Sequence, residues 1–169
     1  MLPELSRVGF DAKSTLHAFS GVTSDVSGSF SARLAAPGAE VAGDVRAQAG
    51  TLDTGLADRN REMYGVLDVE RFPALAFHLA SFTATSTDPR TLATTGTARG
   101  TLTVHGKSVD VSVPLRISVD DAKRVVVEGE VSVRLTDFGI PPPRKLVITV
   151  DDELRVWVAL RARAVGAAP

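Results

Sequence analysis

Val109-Asp110-Val111-Ser112-Val113-Pro114-Leu115-Arg116-Ile117-Ser118-Val119 places an apolar side chain at every odd position and a polar residue or proline at every even one. Successive side chains on a strand point to opposite faces, so the run reads as a half-buried β-strand with one face toward a core. The same period of two recurs upstream. Val8, Phe10 and Ala12 form one inward set, Val26, Gly28, Phe30, Ala32 and Leu34 a second, and Val41, Gly43, Val45, Ala47 and Ala49 a third. Downstream, Leu102 and Val104 alternate with threonines and His105, and Val125, Val127, Val131, Val133 and Leu135 alternate with charged residues. A closing strand sets Leu154, Val156, Val158 and Leu160 against Glu153, Arg155, Trp157 and Arg161.

Turn chemistry separates these runs at Ala36-Pro37-Gly38, around Thr87-Asp88-Pro89-Arg90, at Asp120-Asp121-Ala122-Lys123 and at Asp151-Asp152, as antiparallel hairpins require. Only Ala57 to Leu67 reads helical, with Asp58 as its cap and Met63 and Leu67 on one face. The prediction is an all-β chain, mainly up and down, with one short inserted helix. About eight strands must pack as two sheets or close into a barrel that removes unpaired edges. Ala12, Gly28, Ala32, Gly43, Ala47, Ala49, Ala98 and Gly100 make the inward face rich in small residues, which favours a barrel with a cavity.

A chain of 169 residues with 44% hydrophobic residues can bury one core, and no repeat or linker divides it. The net charge of −1 offers no attraction to nucleic acid. No cysteine is present, which removes disulfides, thiolate nucleophiles and cysteine-held metals. No apolar run reaches the length that spans a bilayer, so stable membrane insertion is not expected. No leader of signal-peptide form precedes the first strand, which as given assigns the chain to the cytoplasm. The three histidines, His17, His78 and His105, have no close-spaced ligand pairing, so no metal site is expected. No nucleophile elbow marks a catalytic serine. Trp157 falls on the polar set of its strand, an exposure that points to cover by a loop or by a homodimer contact.

Gly100-Thr101-Leu102-Thr103-Val104-His105-Gly106, continuing into the alternating strand, resembles the G-x-L-T-[IV]-x-G strand and turn of the YceI-like family. Val26 to Phe30, Arg61 to Leu67 with Phe72 to Phe77, and Asp137-Phe138-Gly139-Ile140 follow in that family's order and extend the resemblance over nearly the whole chain. Lys13 and Phe19 stand where many members carry a histidine, and the step from Arg134 to Phe138 is one residue longer than the common form.

The resemblance implies an eight-stranded, antiparallel, lipocalin-like barrel over residues 1–165, with 166–169 as a disordered tail. Such members are often periplasmic or secreted. It implies no cofactor, but a bound isoprenoid or fatty amphiphile inside the barrel. Phe30, Phe72, Phe77, Leu102, Val104, Val113, Leu115 and Phe138 would then face the apolar chain, and Arg61 its polar head. Phe82 is a weaker wall candidate, having the opposite parity to Phe77. Arg59, Arg61 and Glu62 could equally be a solvated helical face. Two other functions stand beside carriage or sequestration of an amphiphile. One is a ligand-free interaction barrel, and the other is an enzyme acting on a lipid-like substrate.

Overall fold

The computed structural model describes residues 1–32, 41–91 and 93–163. The turn expected at residues 36–38, the inward Leu34 and the tail 166–169 lie outside the described residues. Nine strands form one antiparallel sheet: β1 (Arg7–Lys13), β2 (Ala18–Thr23), β3 (Val26–Ala32), β4 (Val41–Gln48), β5 (Ala74–Thr87), β6 (Thr94–Val104), β7 (Lys107–Val119), β8 (Arg124–Arg134) and β11 (Glu153–Arg163). Their order is β2-β1-β11-β8-β7-β6-β5-β4-β3. A small hairpin, β9 (Arg144–Lys145) and β10 (Ile148–Thr149), stands apart.

The sheet therefore has nine strands where eight were expected, and the reason lies at its edges. The two edge strands, β2 and β3, are joined only by Ser24 and Asp25 and run in one direction. A single bent run thus lies along both edges and closes the curl. Hydrogen bonds across the bend reinforce it, with the Gln48 N–H donating to Asp25 O at 3.1 Å and Val22 and Asp53 exchanging backbone bonds. Counted once, that run gives the expected eight.

Helix α1 (Ala57–Leu67) has the predicted bounds, but Leu56 is its N-cap and no side chain caps it. Asp58 instead lies in the first turn, where it pairs with Arg61 at 3.2 Å. The helix connects β4 to β5, and the registers place it at the end of the barrel that carries Lys13, Gln48, Val104 and Arg134.

Three of the inward glycines leave no empty space, because neighbouring rings lie down on them. A Cβ on Gly100 would meet the Phe77 ring at 2.7 Å, one on Gly96 the Phe82 ring at 2.6 Å, and one on Gly43 the Phe30 ring at 2.4 Å. The parity of Phe82 is corrected by a bulge between Leu79 and Ser81, which sets Phe82 opposite the inward Ala98. Phe82 thus shares the inward face with Phe77.

The ladder between β7 and β8 is incomplete. It runs from Leu115 to Val119 and stops at Pro114, whose nitrogen cannot donate, while β8 beyond Gly129 pairs only with β11. Among the described residues, none of Lys107 to Val113 pairs with β8, although these residues pair fully with β6. The seam opens toward the helix end. We expect the β8-facing amides of Lys107 to Val113 to exchange with solvent far faster than those of Leu115 to Val119; equal protection along β7, read by hydrogen exchange, would show a closed seam.

On the outer face Asp11 joins three strands. It accepts from the Ser20 hydroxyl at 2.5 Å and from Arg155 Nη2 at 2.6 Å. The Ser20 hydrogen bond and then the Arg155 guanidinium hold the Asp11 carboxyl below the usual carboxylate range. A depressed folded-state value makes this stabilisation complete above the unfolded aspartate value of about 3.9 and removes it as pH falls through the folded value. Asp11→Asn should therefore lower Tm at about pH 7 and cost progressively less as the pH drops below about 4; a constant difference across that range would remove Asp11 from the acid limb.

Candidate functional site

Inside the curl lies a cavity of about 100 Å³ whose lining is wholly apolar. Phe30, Phe77, Leu102, Val113 and Leu115 border it, as expected from sequence. So do Val8, Val45, Val111, Val127, Val131, Val156, Val158 and Leu160, which period-two reading sets on the inward faces without singling them out, and Leu79, which that reading did not place. Many of these inward residues, among them Val111, Val113, Leu115, Val131, Val156 and Val158, are only half-buried. A close-packed interior would bury them fully, so the wall keeps apolar surface uncovered.

Four of the residues singled out from sequence do not border the cavity. Phe72 lies at the helix end, edge-on to His105 with ring centroids 5.0 Å apart, and covers the Gly106 turn. Val104 is the last residue of β6, beside that turn. Phe138 is 2% exposed, in a 3₁₀ turn (Leu135–Phe138) that Gly139 ends with φ 73°. Arg61 is solvent-exposed and paired with Asp58. Phe72, Val104 and Phe138 sit at turns beside the strand ends and Arg61 on helix α1, so none of the four reaches the strand faces that line the cavity.

The helix end of the interior is aromatic and cationic. Phe10 and Phe19 meet edge to face at 6.2 Å, and the Arg59 guanidinium sits 4.6 Å over the Phe19 ring. Arg59 donates to Thr54 O at 2.7 Å and lies 3.4 Å from His17 Nε2, while its buried Nε has no partner among the described residues. The sequence leaves Arg59 open between the barrel mouth and a solvated helical face; the helix lays it over Phe19 of β2.

The histidines are dispersed. His17 is at the Arg59 corner, His78 is exposed beside Asp44 at 3.0 Å, and His105 is in a turn with φ 51°. Among the described residues no group of three potential ligands could hold a metal. A larger hollow, about 630 Å³, lies on the outer face between Thr97, Pro114, Arg116, Glu128, Glu130 and Trp157. It is mixed in polarity and open to water, so it offers an apolar molecule little desolvation compared with the interior. Leu115, Gly129 and Val158 border both spaces, which makes the wall between them one residue thick. Trp157 lies over Gly9, whose added Cβ would meet the indole at 2.4 Å, so its strand neighbour supplies its cover.

The YceI-like domain model matches residues 1–162. This chain belongs to the YceI-like family. Among solved structures, Burkholderia cenocepacia BcnA is similar with a TM-score of 0.80 at 18% identity, over 95% of this chain and 98% of that one. A polyisoprenoid binding domain from Saccharophagus degradans, implicated in plant cell wall breakdown, gives 0.72 at 14% identity, over 95% and 94%. The Campylobacter jejuni YceI protein gives 0.63 at 15% identity, over 84% and 82%. At these identities the likeness is one of fold. None of the curated protein sequences compared with the chain matches it. No helix among the described residues of this YceI-like domain is long and apolar enough to cross a membrane.

Proposed function

We propose that this YceI-like domain binds an apolar amphiphile, an isoprenoid or fatty chain, in the barrel interior and carries or sequesters it without chemical change. The observation that supports this most is the lining, which holds no ionisable or hydroxyl side chain yet is in large part only half-buried. Each methylene moved from water to such a wall contributes about 0.8 kcal/mol, so a long tail needs no specific hydrogen bond. A wall without acid, base or nucleophile favours binding over catalysis. The Saccharophagus domain of the same fold is a polyisoprenoid binder by description, which agrees with this reading. The polar head would meet the helix end, where the Arg59 Nε has no partner among the described residues.

The volume of the cavity favours one competing reading. About 100 Å³ is below the roughly 300 Å³ at which small-molecule pockets begin, so a long chain enters only if rings swing off their glycines. A barrel that stays packed and works without ligand is therefore the rival. Protein purified without detergent and extracted with organic solvent separates the two by mass spectrometry. A single long-chain species near stoichiometry is expected; a clean extract with no uptake of an added isoprenoid alcohol would leave the ligand-free barrel.

A further inference from the structure

A cavity enclosed by strands needs a way in, and side chains are packed toward both ends of this barrel. On one side Val26, Val45, Ala47, Val127 and Leu160 form a buried cluster, and Met1 packs against it. The Leu2 N–H donates to Arg161 O at 2.7 Å and the Arg161 N–H donates to the Ser6 hydroxyl at 3.0 Å, so the first six residues are tied to β11 there. Toward helix α1, Phe10, Phe19 and Arg59 fill a corner of the interior. A long chain threading either end has to displace packed groups.

The wall offers less resistance. Among the described residues β7 and β8 share no ladder from Lys107 to Val113, so parting them there gives up no backbone pairing, whereas parting paired strands does. Two residues fix where the split begins. The Pro114 carbonyl oxygen lies 2.5 Å from the point that a Cβ on Gly129 would take, so it faces β8. In an antiparallel strand the nitrogen of a residue faces the same neighbour as its carbonyl, and that of proline brings no hydrogen to it. The Leu115 side chain lies over Gly129, with its Cδ2 2.3 Å from the same point, at the last paired position.

The banks of the split carry the cavity wall itself. Val111 and Val113 on β7 and Val131 on β8 border the cavity and are half-buried, while Leu79 and Ala98, on β5 and β6, are buried. The outer end of the split is stopped. The 3₁₀ turn Leu135–Phe138 follows β8 directly and lies against both β7 and β8, with Phe138 and Ile140 fully buried. The Lys107 side chain lies along Gly139. Asp152 accepts from the Thr136 N–H at 2.9 Å and from its hydroxyl at 2.7 Å, which ties the turn to the approach to β11. Between Pro114 and this turn a window is left, edged by apolar side chains of both strands.

We propose that this window, between Val111 and Val113 of β7 and Val131 and Val133 of β8, is a lateral portal through which the apolar chain enters and leaves the interior. The portal rests on the reading of the interior as the binding site. It passes an unbranched or isoprenoid tail between valine side chains, so no polar group has to be desolvated along the way, and it leaves the packed ends of the barrel in place. A gate of this kind sets the rates of uptake and release without setting the affinity, because the bound state is the same whichever way the chain came in.

The chain has no cysteine, so a pair can be introduced without competition. Carried on from Leu115 opposite Gly129, the register sets Ser112 across the window from Ser132, and both are exposed on the outer face. Ser112→Cys with Ser132→Cys, joined by the shortest bis-methanethiosulfonate that spans them, bars the window without altering the lining and is released by a reducing agent. Association and dissociation of a fluorescent polyene fatty acid, followed by stopped flow, should both slow about tenfold or more in the linked protein, with Kd within about twofold of the unlinked one, and reduction should restore both rates. Arg99→Cys with Ser112→Cys, linked in the same way across the paired β6 and β7, should leave the rates as they are. Unchanged rates across the Ser112 to Ser132 link, in a protein that still binds the probe, overturn the portal and leave the interior site standing. Equal slowing by the β6 to β7 link overturns it too. An unaltered chain that takes up no probe removes the interior reading, and the portal with it.

Discussion

Gly100→Ala should be among the most damaging single-methyl additions in the molecule. The new Cβ would stand 2.2 Å from the His78 carbonyl oxygen and 2.7 Å from the Phe77 ring. The ring could swing away, but the oxygen belongs to the backbone of β5, so β5 and β6 must separate where Leu79 pairs with Gly100. Overpacking of this kind costs about 3 kcal/mol, which for a domain of this size lowers Tm by about 10 °C. Gly65→Ala is the matched control. Gly65 is in helix α1 with nothing within 4 Å of an added Cβ, so the same change there should hold or raise Tm by a degree or two, since about 0.5–1 kcal/mol favours alanine in a helix. Melting curves for the two variants read the contrast directly, and a Gly100→Ala protein as stable as the parent would mean the strands are freer to part than their registers indicate.

The second large effect concerns binding. Val113 borders the cavity, is half-buried and pairs with the fully buried Ala98, so its side chain points to the middle of the barrel. Val113→Trp should fill that space and exclude about four methylenes of a bound chain. At about 0.8 kcal/mol each, the loss is about 3 kcal/mol, or more than a hundredfold in affinity. Stability should change by no more than about 1–3 kcal/mol, because the uncovered wall can absorb part of the indole. Titration of the folded variant with a long isoprenoid alcohol measures this, and unchanged affinity would place the ligand outside the interior.

Most of the architecture is visible in the sequence because one face of each strand is apolar and the other is not. Val109 to Val119 and Leu154 to Leu160 give both element and facing directly. What period two cannot convey is a change of phase. The bulge between Leu79 and Ser81 reverses the parity as far as Ala84, where a second shift before Ser86 restores it, and only the pairing with β6 shows that Phe82 returns inward. Alternation marks no strand over residues 18–23, and only the pairing with β1 shows that β2 precedes the bend at Ser24 and Asp25.

The site was legible to the extent that it is made of strand faces. Phe30, Phe77, Leu102, Val113 and Leu115 lie on alternating runs and border the cavity. Phe72, Val104 and Phe138 sit beside or beyond glycine turns, where sequence neighbourhood no longer fixes direction. Small inward residues suggested an open cavity, yet Gly43, Gly96 and Gly100 are each a bed for a ring, and that relation joins residues on different strands. Pro114 falls within an unbroken alternation in the sequence, and the break it makes in the pairing of β7 with β8 appears only from the sheet order.

The sheet order also bears on how the molecule is made. β1 pairs with β11, Arg7 opposite Ala159, across almost the whole chain. Every other neighbouring pair except β8 with β11 follows directly in sequence, so those hairpins can form as they emerge, whereas β1 must wait for the last strand. Contacts of such long sequence separation carry a high loop-closure cost and slow the search, typically to milliseconds or seconds for β topologies. During that wait the free edges of β1 and β8 are the surfaces through which two nascent copies would find each other, so a chaperone or simple dilution should govern yield more than the stability of the finished barrel.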